Sequence, residues 1–291
     1  MRAGGAPAIL EDVTTESRAL VLGGGGVTGV GWEIGLLCGL AAAGVVVADA
    51  DVVVGTSAGS VVGAQVCGGV PLDELYERQL ASPTGEVAAR IGLGVLVGFA
   101  ASGIGRDARA ARARLGRRAL RASTVPESQR RAVIESRLPR HEWPLRPRLL
   151  VTAVDADTGD AVVWDRDSGV DLVDAVAASC AVPLVWPPMT VNGRRYVDGG
   201  VRSPTNADYA AGCSRVVVLA PTTAAVRRSG RVTRQLASLG PEARTVVCTP
   251  DAQARAAIGR NVLDPARRAA AARAGHRQAA DVAGAVEAVW S

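Results

Sequence analysis

Two glycine-rich corners, one after the other, constrain this chain more than any other feature. The first, Gly23-Gly24-Gly25-Gly26-Val27-Thr28-Gly29, follows an apolar run ending at Leu22. The second, Gly55-Thr56-Ser57-Ala58-Gly59, follows Asp51-Val52-Val53-Val54. Each leads into residues with helical patterning, Trp32 to Ala43 and Ser57 to Val66. A strand, a tight turn and a helix, repeated, is a βαβ start, and such a start builds a buried, largely parallel sheet. The predicted strands are Ala19 to Leu22, Asp51 to Val54, Arg148 to Val154, Ala161 to Trp164, Arg215 to Leu219 and Thr245 to Cys248, each short and rich in Val or Leu. Asp264-Pro265 supplies an acidic cap and a proline at the first helical position, opening a helical stretch that reaches Trp290.

Length and composition favour one α/β domain spanning residues 1–291. Hydrophobic residues make up 48% of the chain but aromatics only 3%, so the core must be built from Val, Ala and Leu. The net charge of +5 is carried by arginine, with no lysine present. Arginines crowd between Arg106 and Arg148, where Arg112, Arg114, Arg117, Arg118, Arg121, Arg130 and Arg131 outnumber Asp107, Glu127 and Glu135. That run reads as a solvated helix face or as a surface drawn to anionic phospholipid headgroups. It carries no nucleic-acid-binding motif, which argues against nucleic acid as a partner. The segment around 83–146 is therefore expected to be a helical, basic cap inserted outside the sheet. Its apolar beginning, Ile91 to Ile104, is too short to span a bilayer and reads as an interfacial segment or lid.

Five cysteines without C-x-x-C spacing argue against a disulfide framework and a structural zinc site. Cys38, Cys67 and Cys180 read as small buried apolar residues. The N-terminal stretch has no continuous apolar run and carries Glu11, Asp12 and Glu16, so it does not read as a signal peptide. A cytoplasmic protein is expected, with peripheral membrane contact through the arginine run.

The corner at Ser57 has the pattern of a nucleophile elbow. A serine on so tight a turn needs glycine at the flanking positions, here Gly55 and Gly59, because side chains there would strike the neighbouring strand and helix. The hydroxyl then sits at a helix N-terminus, where the dipole and unpaired amides favour negative charge. The glycine loop admits two functional readings. Gly24-x-Gly26-x-x-Gly29 fits a dinucleotide fingerprint, with Asp49 or Asp51 as the ribose-binding acid, and this makes a Rossmann oxidoreductase the alternative. The other reading is an oxyanion hole formed by the amides of Gly24, Gly25 and Gly26. Ser57 favours the second, because acyl transfer needs a nucleophile and an anion cradle at adjacent strand ends.

A base must accompany the serine. Only two histidines occur, His141 in the basic insertion and His276 in the C-terminal arginine-alanine helix, and neither has a convincing setting. A carboxylate is the stronger candidate, first of all Asp198 in Tyr196-Val197-Asp198-Gly199-Gly200. Met189 to Val191 and Arg195 to Val197 flank Asn192-Gly193, a type I′ hairpin signal, so Asp198 emerges at a strand end. Asp155 and Asp157 compete with it but read as turn residues beyond a strand.

Taken in order, Gly24-Gly25-Gly26-x-x-Gly29, Gly55-x-Ser57-x-Gly59 and Asp198-Gly199-Gly200 resemble the patatin-like phospholipase family. Ala178-Ser179-Cys180-Ala181-Val182-Pro183, Pro187-Pro188 and Ser203-Pro204-Thr205-Asn206 are similar to the family's segment around its aspartate. The resemblance implies a three-layer α/β sandwich, Ser57 as nucleophile and Asp198 as base of a Ser-Asp dyad, and the glycine loop as oxyanion hole. It also implies a lipid ester as substrate, with phospholipid first, and no metal or cofactor. One departure stands out: the family usually places Arg or Lys where this chain has Thr28.

Overall fold

A computed structural model describes residues 17–82, 107–225 and 227–291. The Val- and Leu-rich runs form β1 (Arg18–Leu22), β2 (Val52–Gly55), β3 (Arg148–Asp155), β4 (Ala161–Trp164), β5 (Met189–Val191), β6 (Arg194–Asp198), β7 (Arg215–Leu219) and β8 (Arg244–Cys248). They join in one 8-stranded sheet of order β5-β6-β3-β2-β1-β7-β8, with β4 also paired to β3. Strands β3, β2, β1, β7 and β8 run parallel, whereas β4, β5 and β6 are antiparallel to their neighbours. Ala19 to Leu22 and Val216 to Leu219 are wholly buried. Burial on both faces is why these strands read as continuous apolar runs and not as alternating ones.

The helices are α1 (Gly26–Ala42), α2 (Ala58–Cys67), α3 (Leu72–Leu80), α4 (Ala108–Ala119), α5 (Glu127–Glu135), α6 (Leu172–Ser179), α7 (Val232–Leu236), α8 (Ala252–Ile258) and α9 (Arg268–Trp290). On one face of the sheet Leu20, Leu22, Val53, Val151 and Val217 pack with apolar residues of α1, α2, α6 and α9. The opposite face is covered by a thinner layer, where Val21, Val54, Leu150 and Val218 meet Tyr209 and Val232. The result is the expected three-layer α/β arrangement.

Helix α1 begins at Gly26, not at Trp32 as the patterning predicts. Glycine is a poor helix former, but here close packing outweighs propensity. Gly31, Gly35 and Gly39 line the side of α1 facing α9, and a methyl group on Gly35 would stand 2.0 Å from the carbonyl oxygen of Ala272. In return, one on Gly275 of α9 would stand 2.2 Å from that of Trp32. The indole Nε1 of Trp32 donates to Gln278 at 3.0 Å, sealing this seam.

The insertion does not stand outside the sheet from Asp107 onward. Leu115 and Ala119 of α4 pack on Val154 and Val197, whereas Ile134 of α5 joins the core on the other face. Alternate residues of β3 point to opposite faces, so the two helices clasp the sheet from both sides. Of the expected basic surface, Arg130 turns inward and is buried, while Arg131 pairs with Asp174 at 2.6 Å and Arg109 pairs with Asp160 at 2.8 Å at the surface. Ile91 to Ile104 lies outside the described residues. Among the described residues, no helix is long and apolar enough to cross a membrane. Cys67 and Cys180 are buried, while Cys38 is only partly so.

Candidate active site

Strand β2 delivers Ser57 on a turn with φ 52° and ψ −115°, and α2 starts at the next residue. A positive φ on serine is a strained conformation, of the kind that costs about 1–3 kcal/mol and persists only when its surroundings enforce it. Those surroundings are visible. The Ser57 amide donates to Ser179 Oγ at 2.9 Å, and the Ser57 carbonyl accepts from Ser60 Oγ at 2.7 Å and Cys180 Sγ at 3.3 Å. A methyl group on Gly59 would lie 2.1 Å from the Leu22 oxygen, and one on Gly55 would lie 2.6 Å from Ser60 Cα. Glycine at both positions is therefore obligatory, for the steric reason the motif suggests.

Sheet register brings Asp198 to the same place. Strand β2 pairs along β3 as far as Gly55 with Val151, and β6 takes over from Asp198 with Ala153, leaving Thr152 between them. The β5–β6 hairpin turns at Asn192 and Gly193, both at positive φ, as the Asn-Gly signal predicts. Asp198 is buried; its carboxylate accepts from the Gly200 amide at 2.7 Å and lies within the influence of the Ser57 hydroxyl. Burial pushes its carboxyl up to about 6, against the opposing influence of the Ser57 hydroxyl, the Gly200 amide and the Arg130 charge. Gly199 has no room for a side chain, since a methyl group would stand 2.3 Å from Thr152 Oγ1.

Sequence reasoning missed the polar staple beneath the pair. Asn206, left-handed at φ 50°, directs its side-chain amide at Thr56 Oγ1 (3.0 Å), Thr152 Oγ1 (3.2 Å), the Ser203 carbonyl (2.9 Å) and the Gly199 carbonyl (3.3 Å). Thr56 precedes Ser57 and Gly199 follows Asp198, so one side chain ties both reactive corners together. The available signal was Thr152, a polar residue within the run Leu149-Leu150-Val151-Thr152-Ala153-Val154. Such a group is tolerated in a core only when hydrogen-bonded.

The glycine loop abuts the serine: a methyl group on Gly24 would stand 3.6 Å from Ser57 Cβ. Its amides divide differently from the expectation. Gly24 donates to the Pro204 carbonyl at 2.7 Å, which removes it as an oxyanion donor. The amides of Gly25 and Gly26 have no backbone acceptor among the described residues. They sit at the start of α1, where unpaired amides and the dipole favour an anion. Gly26 and Ser57 line a common crevice of about 30 Å³ with Ala58, Cys180, Val182 and Trp186.

Residues 20–211 match the patatin-like phospholipase family. The chain belongs to that family. This patatin-like protein is thus a lipid acyl hydrolase, a carboxylic ester hydrolase. Its sequence matches no curated protein. Among solved structures it is similar to VipD from Legionella pneumophila, with 13% identity and a TM-score of 0.48 over 94% of this chain and 68% of VipD. It is also similar to the type III effector protein ExoU, with 14% identity and a TM-score of 0.40 over 94% of this chain and 54% of ExoU.

The competing site residues of this patatin-like protein lie elsewhere. His141 is exposed beside Glu135, and His276 stacks on Tyr76 with ring centroids 4.9 Å apart. Asp155 accepts from the amides of Asp157 and Thr158 and pairs with Arg194, the turn role expected of it. The dinucleotide alternative fails on geometry. Asp51 binds the amide of Arg18, and Asp49 pairs with the Arg18 guanidinium. Both acids therefore lie at the beginning of β1, the length of a strand from the glycine loop at its end. Thr28 is buried and donates from its amide to the Val262 carbonyl at 3.1 Å.

Proposed function

We propose that Ser57 and Asp198 hydrolyse acyl esters of lipids, phospholipids first among them, through an acyl-enzyme. What carries this reading is the buried Asp198 carboxylate placed beside the Ser57 hydroxyl, at a helix start whose first amides have no backbone acceptor among the described residues. Asp198 takes the hydroxyl proton as Ser57 Oγ attacks the ester carbonyl. The amides of Gly25 and Gly26, with the positive end of α1, stabilise the tetrahedral oxyanion; each such donor is typically worth about 2.7–4 kcal/mol of barrier. The proton passes from Asp198 to the departing alcohol or lysolipid, leaving the acyl group on Ser57. Water, deprotonated by Asp198, then attacks that ester and restores the serine. A carboxyl near 6 suits both duties, being ionised at neutral pH yet able to return a proton.

Fluorophosphonate labelling tests the assignment. The wild-type chain should label and Ser57→Ala should not; labelling that survives in Ser57→Ala would move the nucleophile elsewhere. For the arginine run, we propose contact of the exposed side of α4, carrying Arg114 and Arg118, and of Arg121 just past its end, with anionic lipid surfaces. Equal binding to neutral and anionic vesicles, insensitive to salt, would refute that contact.

A further inference from the structure

Helix α7 turns two residues inward, Val232 and Gln235. Val232 packs in the thin apolar layer on that face of the sheet. Gln235 is only 4% exposed, and a primary amide is tolerated in such a place only when its polar atoms are partnered. Its Oε1 accepts from the Ala207 amide at 3.1 Å, from Thr205 Oγ1 at 3.1 Å and from Ser203 Oγ at 2.9 Å. Its Nε2 donates to Asp208 Oδ1 at 2.8 Å. A backbone amide can only donate and a carboxylate only accept, so the partners themselves decide which end of the side chain is the oxygen.

All four partners lie within residues 203–208, a stretch outside every strand. The remaining polar groups of that stretch reach the catalytic corners. The Pro204 carbonyl accepts from the Gly24 amide at 2.7 Å, and the Thr205 carbonyl accepts from Thr56 Oγ1 at 3.4 Å. The Asn206 side-chain amide spans Thr56 and the Gly199 carbonyl. Asp208 extends the same network, since Arg202 donates both to it, at 2.9 Å, and to the side-chain oxygen of Asn206, at 2.6 Å. Any shift of this loop therefore moves Gly24, and with it the adjoining amides of Gly25 and Gly26, relative to Ser57. Oxyanion donors act only when already aimed at the developing charge, and a misplacement of about 1 Å from a remote change can cost about a hundredfold in rate.

We infer that Gln235 is a positioning residue for ester hydrolysis. It touches no reacting atom, but it locks residues 203–207 so that Pro204 aims the glycine loop and Asn206 holds the two catalytic corners in register. This inference rests on the reading of Ser57 as nucleophile and of the Gly25 and Gly26 amides as oxyanion donors. Gln235 lies past residue 211, outside the family match, so the shared motifs do not announce it.

Steady-state hydrolysis of p-nitrophenyl butanoate by the full chain tests the assignment, with active sites counted by the final extent of fluorophosphonate labelling. Gln235→Leu removes all four bonds and should lower kcat about ten- to a hundredfold per labelled site, while KM changes by less than about twofold. Val232→Ala, from the same helix and also buried, is the control: it leaves a cavity in the same layer and should keep kcat within about twofold. A Gln235→Leu chain with wild-type kcat, a loss confined to KM, or a Val232→Ala chain slowed as much would reduce Gln235 to a packing role and overturn the inference. Should Gln235→Leu fail to fold, Thr205→Val, which deletes one hydroxyl bonded to the same oxygen, carries the comparison. A kcat lowered at least about threefold supports the inference, and an unchanged kcat overturns it. Labelling separates the two ideas. A wild-type Ser57 that does not react defeats the underlying reading and the inference together, whereas normal wild-type labelling with kcat indifferent to Gln235 defeats the inference alone.

Discussion

Replacing Asp198 with asparagine should stabilise the protein while disabling it. Burial raises the carboxyl from 3.8 to about 6, so at about 1.4 kcal/mol per unit the ionised side chain costs the folded state about 3 kcal/mol. The sign follows from which state holds the proton. Below about pH 4 the carboxyl is protonated whether the chain is folded or not, and no penalty exists. As pH rises, the unfolded chain releases its proton first; the stability held at low pH is lost progressively until the folded carboxyl has also ionised. Asparagine is never charged, keeps an oxygen for the Gly200 amide and fits the same space. Asp198→Asn should therefore melt about 5 °C above wild type near pH 8, with almost no difference near pH 4. Paired calorimetric scans at the two pH values measure this. A variant that is no more stable near pH 8, or equally more stable at both, would show that the carboxylate is not held at a cost. The same variant should lose acylation, and wild-type kcat/KM should fall about tenfold per unit below about pH 6 as the base takes up its proton.

Gly59→Ala should prevent folding, because the added methyl group meets a backbone oxygen at 2.1 Å and neither the strand nor the helix can retreat; circular dichroism showing a native, cooperative fold would contradict this. Asn206→Ala removes a buried donor shared by four acceptors. It should cost about 2–3 kcal/mol of stability and lower kcat with little change in KM. Denaturant titration and steady-state kinetics read the two effects, and an unchanged kcat would leave Asn206 with a purely structural role.

What was legible in the sequence followed from local geometry. Gly55 and Gly59 announce the turn at Ser57 because no other residue fits there, and Asn192-Gly193 announces the hairpin that ends at Asp198 because both positions need positive φ. What was hidden depends on partners far along the chain. Gly24 donates to Pro204, so the loop motif alone could not reveal which amides remain available. Arg130 belongs to an arginine run that reads as solvated, yet it is buried because Ile134 and Leu138 draw its helix onto the core. The early start of α1 escaped notice for a related reason. Its glycines weaken an isolated helix, and only a second helix at backbone distance makes them favourable.

That seam between α1 and α9 bears on where the catalytic unit ends. The stretch shared with the family stops at residue 211, before β7, Pro221, the Val262 carbonyl and α9. Yet β7 flanks β1, Pro221 crowds Gly25, Val262 anchors Thr28, and α9 meshes with the glycines of α1. The first turn of α1, carrying the amides proposed to meet the oxyanion, is thus clamped almost entirely by residues beyond the shared stretch. A fragment trimmed to the family boundary would keep the serine and the aspartate but surrender the frame that aims those amides.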